Sequence, residues 1–246
     1  MAPSDLTAEF HREVHDFVIE ALGGSTALSG AKVIEVGAGD GALAAQLGES
    51  GVDITAIDAS EDAVARAADQ GRSVTHHDWL TWDDGGYDAV LFTRSLHHIE
   101  PLEQAVTQAR KRAPGGLIIC DEFARERLDE RGAQLLFDSR TLLSAVGLIE
   151  ADNPPASDPR GAWVRRFTEV HPIATGLAVK EAISEHATIL RDEPVPFIGR
   201  FITQFLDPAH PSARAASEAV VELERGRIDA GLLPRVGFRL VARLHD

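Results

Sequence analysis

The sequence of 246 residues contains one cysteine, Cys120, and few basic residues. A single cysteine excludes an internal disulfide, and a zinc site would have to rely mainly on histidine and carboxylate ligands. The 24 lysines and arginines are outnumbered by 39 aspartates and glutamates, which gives a formal net charge of −15. Nucleic acid and anionic membranes repel such a chain unless its basic residues form a patch. The basic runs are short, so we expect neither partner.

Long apolar runs and several catalytic motifs are also missing. No window approaches the ~20 apolar residues of a membrane span, and the first ten residues lack the pattern of a secretory signal. The sequence has neither the G-x-S-x-G motif of serine hydrolases nor the phosphate loop of P-loop NTPases. With 44% hydrophobic and 26% charged residues, the composition is typical of a soluble globular protein. We therefore expect a cytoplasmic protein with a small-molecule partner, and the oligomeric state is not indicated.

From residue 33 to about 121, short apolar runs alternate with helical patterns, as in β-α-β units around a parallel sheet. The runs that predict strands are 32–36, 52–57, 73–76, 87–93 and 116–120. Helical patterns lie between them over 41–47, 60–70 and 101–112. The sequence therefore predicts an α/β fold with a doubly wound, mostly parallel sheet.

The alternation stops after residue 123. Helices are predicted near 133–146, 174–188, 196–206 and 211–226, and residues 236–243 alternate like a strand. A stretch this long exceeds one crossover connection, which predicts a helical cap insertion. The predicted organisation is an N-terminal cap helix in 1–30, a cofactor-binding α/β core in 31–123, a helical cap and substrate region in 124–230, and a closing strand in 231–246.

A glycine-rich segment follows the first predicted strand, with Gly37, Gly39 and Gly41 at alternate positions. Glycines let the backbone turn tightly and let a ligand approach the N-terminus of the next helix. The segment also satisfies the dinucleotide pattern G-x-G-x-x-G/A, since Ala42 takes the last position. Asp58 lies about 20 residues on, where an acid binds a ribose. The loop alone is therefore compatible with NAD.

Two acids favour a cationic ligand over NAD. Asp40 stands where a pyrophosphate would lie, and two negative groups at one helix terminus repel each other unless a cation intervenes. Glu35, two residues before Gly37, adds a second carboxylate. S-adenosylmethionine carries a sulfonium and an ammonium group, together with a ribose for Asp58.

The segment 33–123 resembles the class I S-adenosylmethionine-dependent methyltransferases of the small-molecule type, which have a Rossmann-like fold. The matching features are the acidic glycine motif, the acids after strands two and three, Ser95-Leu-His-His-Ile99 after strand four, and Pro114-Gly-Gly116 before strand five. The resemblance implies adenine recognition by Asp78, although Asp78 could instead cap a loop. Trp79 could pack on the base or belong to the core. The cofactor-binding residues that we predict are Glu35, Gly37, Ala38, Gly39, Gly41, Asp58, Ala59, Asp78, Trp79 and Thr93.

Catalysis of methyl transfer depends largely on positioning, with the nucleophile held about 3 to 3.5 Å from the methyl carbon. A base is needed only if the nucleophile arrives protonated. His97 and His98 follow strand four, where ligands of open α/β sheets bind, and imidazole titrates in the useful range. They are the predicted catalytic candidates, and hydrogen bonding to loop backbone is the alternative. We predict no metal site.

Two other functions stay open at this point. One is a nicotinamide-dependent oxidoreductase that uses the same glycine loop, and the other is a non-catalytic module that binds S-adenosylmethionine. The acceptor and the methylated atom are not indicated. The resemblance also implies a seven-stranded sheet, and a short extended piece near 163–167 is our candidate for one of the missing strands.

Overall fold

The computed structural model describes residues 8–24, 30–150 and 157–246, together with Leu6. Seven strands form one sheet in the order β3-β2-β1-β4-β5-β7-β6. Their bounds are β1 Lys32–Val36, β2 Asp53–Asp58, β3 Thr75–His76, β4 Ala89–Thr93, β5 Leu117–Phe123, β6 Ala187–Val195 and β7 Gly237–Leu244. β1 pairs in parallel with β2 and β4, β2 pairs in parallel with β3, and β4 pairs in parallel with β5. The predicted α/β fold with a mostly parallel sheet is confirmed.

The helices are α1 Ala8–Ala21, α2 Ala42–Glu49, α3 Glu61–Asp69, α4 Leu102–Arg112, α5 Glu130–Ala145, α6 Pro159–Arg165, α7 Gly176–His186, α8 Ile198–Thr203 and α9 Ala213–Asp229. Ser60 caps α3, because its side chain accepts a hydrogen bond from the amide of Ala63. Within the described residues, no helix is long and apolar enough to cross a membrane.

Two elements differ from the sequence-based expectation. The piece 163–167, considered as a strand, is helical: Trp163 lies in α6, and Arg166–Val170 continue as a π-helical turn. The strand that completes the sheet is instead β6, at its edge. Side-chain burial alternates along β6, yet the strand contains Pro194 and three consecutive charged residues. Such residues are tolerated at a sheet edge, which weakens the strand signal in the sequence.

The described chain packs as two compact units. The core unit comprises His11–Glu122, Ala174–Glu193 and Phe238–Asp246, and the helical unit comprises the described residues up to Phe10 together with those of Phe123–Ile173 and Pro194–Gly237. The second unit supplies the predicted helical insertion. The predicted domain boundaries themselves stay a prediction, and the parts of them at 1–5, 7, 25–29 and 151–156 lie outside the described residues.

Each unit has its own apolar interior. In the core unit, side chains of α1, α2 and the sheet pack together, among them Phe17, Leu47 and Leu91. Cys120, on β5, is fully buried here, and burial raises the pKa of its thiol well above the usual value. In the helical unit, the interior is rich in aromatic rings, including Phe123 and Phe197, which stack with their ring centroids 4.2 Å apart.

A buried carboxylate joins two helices of the helical unit. Glu224, on α9, is 1% exposed and accepts hydrogen bonds from the backbone amides of Phe197, Ile198 and Gly199 at 2.7–2.9 Å. These amides belong to the start of α8, where backbone N–H groups have no partner within the helix. The negative charge also interacts favourably with the helix dipole.

We expect Glu224→Ala to lower the free energy of unfolding by about 3 kcal/mol, because three buried amides lose their acceptor. Urea denaturation followed by circular dichroism measures this change. Glu222→Ala removes the same charge from an exposed position of the same helix and should stay within about 0.5 kcal/mol of the unmodified protein. Equal losses in the two variants would show that the capping contacts do not stabilise the fold.

Candidate functional site

A cavity of about 270 Å³ opens in the core unit beside the carboxyl ends of β1, β2 and β4. This is the edge at which open α/β sheets bind their ligands. The predicted site residues that line the cavity are Gly37, Asp58, Ala59, Asp78, Trp79 and His98. The structure therefore brings together residues from four separate sequence motifs.

Asp58 fixes the glycine loop to the end of β2. Its Oδ2 accepts a hydrogen bond from the amide of Gly39 at 2.8 Å, and its Oδ1 accepts one from the amide of Ser60 at 2.8 Å. The amides of Gly37 and Ala38 both donate to the carbonyl of Ile57, at 2.9 and 3.0 Å. Each carboxylate oxygen of Asp58 retains a second lone pair that can accept a hydroxyl proton.

Gly37 allows the loop after β1 to pack directly against the loop after β4. Its φ is +72°, and a Cβ built on it would lie 2.5 Å from the Cβ of Ser95. Gly39, with φ +60°, has no atom within 4 Å of its Cβ position, so the space beside it is open. Gly41 precedes α2 and also has a positive φ. The loop is thus closely packed against Ser95 at Gly37 and has open space beside Gly39.

The buried Glu35 and the half-buried Thr93 form a hydrogen-bonded pair, and neither lines the cavity. The hydroxyl of Thr93 donates to Oε1 of Glu35 at 2.7 Å. Burial raises the pKa of Glu35 to about 7, and the nearby charge of Asp40 adds to the rise, while Thr93, the Ala44 amide and Arg94 oppose it. Near neutral pH, Glu35 is therefore divided between its neutral and its charged form.

The N-terminus of α2 carries an ion pair that the sequence did not reveal. Asp40 Oδ2 lies 2.7 Å from a guanidinium nitrogen of Arg72, and Oδ1 accepts a hydrogen bond from the amide of Ala42 at 3.2 Å. Arg72 is a cation that offsets the charge of Asp40, so charge repulsion argues less strongly against a pyrophosphate than the sequence indicated. The Asp40 side chain nevertheless occupies the amide that a pyrophosphate would use.

Asp78 and Trp79 each line the cavity and also have a structural role, so the two interpretations that the sequence left open for each residue are compatible. Asp78 is exposed and lines the cavity, and its Oδ1 also caps the following turn by accepting from the amide of Leu80 at 2.9 Å. Trp79 is 3% exposed, and its indole N–H donates to the carbonyl of Ala105 at 3.0 Å. Trp79 is therefore a core residue that forms part of the cavity wall. Adenine recognition by this pair stays a prediction.

The two predicted catalytic histidines lie in different environments. His98 is exposed and lines the cavity, whereas His97 is buried and does not line it. Nδ1 of His97 is hydrogen-bonded to Oε2 of the buried Glu122, and Oε1 of Glu122 accepts from the amide of Leu96 at 2.8 Å. The two imidazole centroids are 4.2 Å apart. His97 thus helps to fix the loop after β4 in place, whereas His98 lies on the surface of that loop.

Arg94 is a further residue of the cavity wall. It follows β4 directly, lines the cavity and has a φ of +56°. A non-glycine residue in this region is uncommon, and such strained residues cluster at functional sites. His77, Ser95 and Ile99 also line the cavity. Ser95 and Ile99 belong to the motif that follows β4, whereas only its position after β3 could have indicated His77.

Potential metal ligands do not converge on the cavity. In the described part of the chain, Glu103, Glu185 and His186 lie close enough to hold an ion, and none of the three lines the cavity. The first two are exposed, as acidic surface groups commonly are.

Comparison with known proteins identifies the family. Residues 7–168, more than half of the chain, match the pattern that defines the methyltransferase domain. The chain belongs to the methyltransferase-domain family. It is 29% identical over 145 residues to a demethylmenaquinone methyltransferase of Beutenbergia cavernae, which covers 57% of this chain and 59% of that protein. It is 35% identical over 112 residues to a ubiquinone biosynthesis O-methyltransferase of Caulobacter sp. (strain K31), which covers 42% and 44%. The chain thus spans about half the length of these curated relatives.

The fold agrees with solved structures. The N-methyltransferase NodS from Bradyrhizobium japonicum WM9, in complex with S-adenosyl-L-homocysteine, superposes with a TM-score of 0.56 at 14% identity and covers 100% of this chain and 90% of NodS. At this identity, the likeness shows the fold alone. The predicted class I methyltransferase fold is confirmed by this match and by the sheet order.

We expect His97→Ala to lower the free energy of unfolding by about 3 kcal/mol, because it leaves the Glu122 carboxylate buried without its imidazole partner. His98→Ala should change it by less than about 0.5 kcal/mol, since His98 is exposed. Urea denaturation of both variants measures the two changes. A His98 variant as unstable as the His97 variant would contradict the division between support and surface.

Proposed function

We propose that this methyltransferase transfers a methyl group from S-adenosylmethionine to a small organic acceptor. The observation that carries the proposal is the cavity whose wall contains Asp58, clamped to the glycine loop, in a chain of the methyltransferase-domain family. The family match favours methyl transfer over the nicotinamide-dependent alternative. We also propose a cytoplasmic location, because the only cysteine is buried as a free thiol.

The residues around the cavity fit the groups of this cofactor. Asp58 would accept hydrogen bonds from the ribose hydroxyls, and Asp78 one from the adenine amine. Glu35 does not line the cavity and would hold the ammonium of the methionine part through water, whereas Arg94 lines the cavity and would pair with the carboxylate of that part. The open space beside Gly39 leaves room for the backbone to approach the ligand. The cofactor supplies an activated methyl group.

The task left to the protein is to position the acceptor and to accept its proton. An acceptor held about 3 to 3.5 Å from the methyl carbon reacts by in-line displacement. If the acceptor carries a hydroxyl or an ammonium, we propose that a ring nitrogen of His98 takes the proton and releases it to water, because His98 is exposed and lines the cavity. Glu122 and His97 would act as positioning residues, since they fix the loop that carries His98.

We infer the chemical class of the methyl acceptor from the names of the curated relatives and from the net charge of the chain. The two curated relatives are named for demethylmenaquinone and for ubiquinone biosynthesis, so both are named for small-molecule chemistry. The net charge of −15 disfavours a nucleic-acid acceptor. A small organic molecule is therefore the acceptor that we propose. An experiment has to distinguish this function from that of a non-catalytic module that binds S-adenosylmethionine.

The direct test is to incubate the protein with methyl-labelled S-adenosylmethionine and a pool of small metabolites, and to detect labelled products by mass spectrometry. We expect transfer, and Asp58→Ala should weaken cofactor binding by about 1 to 3 kcal/mol, as measured by calorimetry. Asp62→Ala removes an exposed acid from the first turn of α3 and serves as the matched control. Tight cofactor binding with no transfer to any metabolite would favour the non-catalytic module.

The raised pKa of Glu35 gives a pH dependence with a definite sign. Its neutral form is favoured by the fold, so the corresponding stability is present below about pH 4.5 and is lost as the pH rises through about 7. Only the charged form attracts an ammonium group. Cofactor affinity should therefore rise between about pH 6 and 7.5, with release of a proton on binding.

Calorimetry in two buffers of different ionisation enthalpy measures the proton release near pH 7. Glu35→Gln should abolish that release and flatten the rise in affinity, because an amide does not titrate. If the cofactor affinity of the Glu35→Gln variant showed the same pH dependence as that of the unmodified protein, Glu35 would not bind the cofactor.

A further inference from the structure

A second cavity, of about 330 Å³, is lined entirely by residues of the helical unit. Its volume lies in the range of small-molecule pockets, about 300 to 1,000 Å³. Its wall includes Leu136 and Phe137 from α5, Trp163 from α6 and Phe201 from α8. Trp163 and Phe201 contact each other edge to face, with their ring centroids 5.4 Å apart. The cavity thus has a rigid aromatic wall.

The same cavity is lined by three arginines, Arg140, Arg165 and Arg166, against one acid, Glu169. This excess of positive charge occurs in a chain with a net charge of −15. Arginine stays charged at every pH at which the protein is folded. A small anion is therefore attracted to this cavity although the protein as a whole repels it.

Arg166 is the arginine whose contacts point to a ligand. Its Nε is buried and has no hydrogen-bond partner among the described residues. Its guanidinium lies 5.6 Å from the ring centroid of Phe167 and 5.8 Å from that of Phe201. Burying a cationic N–H donor without an acceptor is costly, and a carboxylate supplies two acceptor oxygens in the geometry that guanidinium prefers.

The remaining arginines place charge at the edge and in the depth of the cavity. Arg165 is exposed and pairs with the exposed Asp158 at 3.5 Å. Arg140 is buried, and its guanidinium lies 4.3 Å from the ring centroid of Phe205. The π-helical turn Arg166–Val170 contributes three of the lining residues. π-helical turns are rare in proteins, and those that occur are often found at functional sites.

We propose that this cavity is a binding site for a planar aromatic carboxylate, with the ring against Trp163 and Phe201 and the carboxylate on Arg166. The site is separate from the cofactor cavity in its lining residues and does not depend on the methyl-transfer proposal.

The test uses the full-length protein and 2-naphthoate as the probe, with 2-naphthamide as a neutral ligand of the same shape. Binding is followed by calorimetry and by tryptophan fluorescence. We expect 2-naphthoate to bind at least about tenfold more tightly than 2-naphthamide, which is the effect of one charge-assisted hydrogen bond. Arg166→Ala should remove this preference and leave the affinity for 2-naphthamide unchanged. Trp163→Phe should remove the fluorescence change.

Arg131→Ala is the matched control, because Arg131 is exposed on α5 and does not line the cavity. If Arg166→Ala fails to fold, Arg165→Ala replaces it as an exposed variant that should reduce the same preference. Equal affinities for the acid and the amide, or an unchanged preference in the arginine variants, would overturn the proposal.

Discussion

The carboxylate of Asp58 holds two backbone segments in place beside the cavity at the carboxyl ends of β1, β2 and β4. It receives backbone hydrogen bonds from Gly39 on one side and Ser60 on the other, so one side chain holds the glycine loop and the start of α3 in place. The same carboxylate faces the cavity and has lone pairs left for a ligand. A ligand that binds to Asp58 would therefore contact the same carboxylate that fixes the glycine loop.

Two acids at neighbouring strand ends have different physical roles. Asp58 is half-buried, and its carboxylate accepts two amide hydrogen bonds that hold the backbone around it. Glu35 is fully buried against Thr93, and desolvation favours its neutral form. Binding of a cation through Glu35 would therefore have to overcome this preference for the neutral form. The fold thus makes the carboxyl of Glu35 respond to pH near neutrality.

The sequence predicted the parts of the fold that depend on local pattern. The first five strands follow from short apolar runs, and the glycine loop and Asp58 follow from spacing. It did not predict β6, because an edge strand with charged residues and a proline lacks the usual apolar signal. Nor could it distinguish His97 from His98. That difference depends on Glu122, which is distant in sequence and reaches the loop only through the pairing of β4 and β5. The sequence also did not reveal the ion pair between Arg72 and Asp40, because the two residues lie 32 positions apart.

The burial of Cys120 has a practical consequence for studying motion in this protein. Its thiol lies on a central strand, and its pKa is raised well above the usual value by burial and by the charges of Glu122 and Asp121. It therefore forms little thiolate and is inert toward alkylating reagents. Because the chain has no second thiol, a cysteine introduced on the surface would be the sole labelling point for a spin label or fluorophore. Pairs of such labels can report distances without first replacing any native residue.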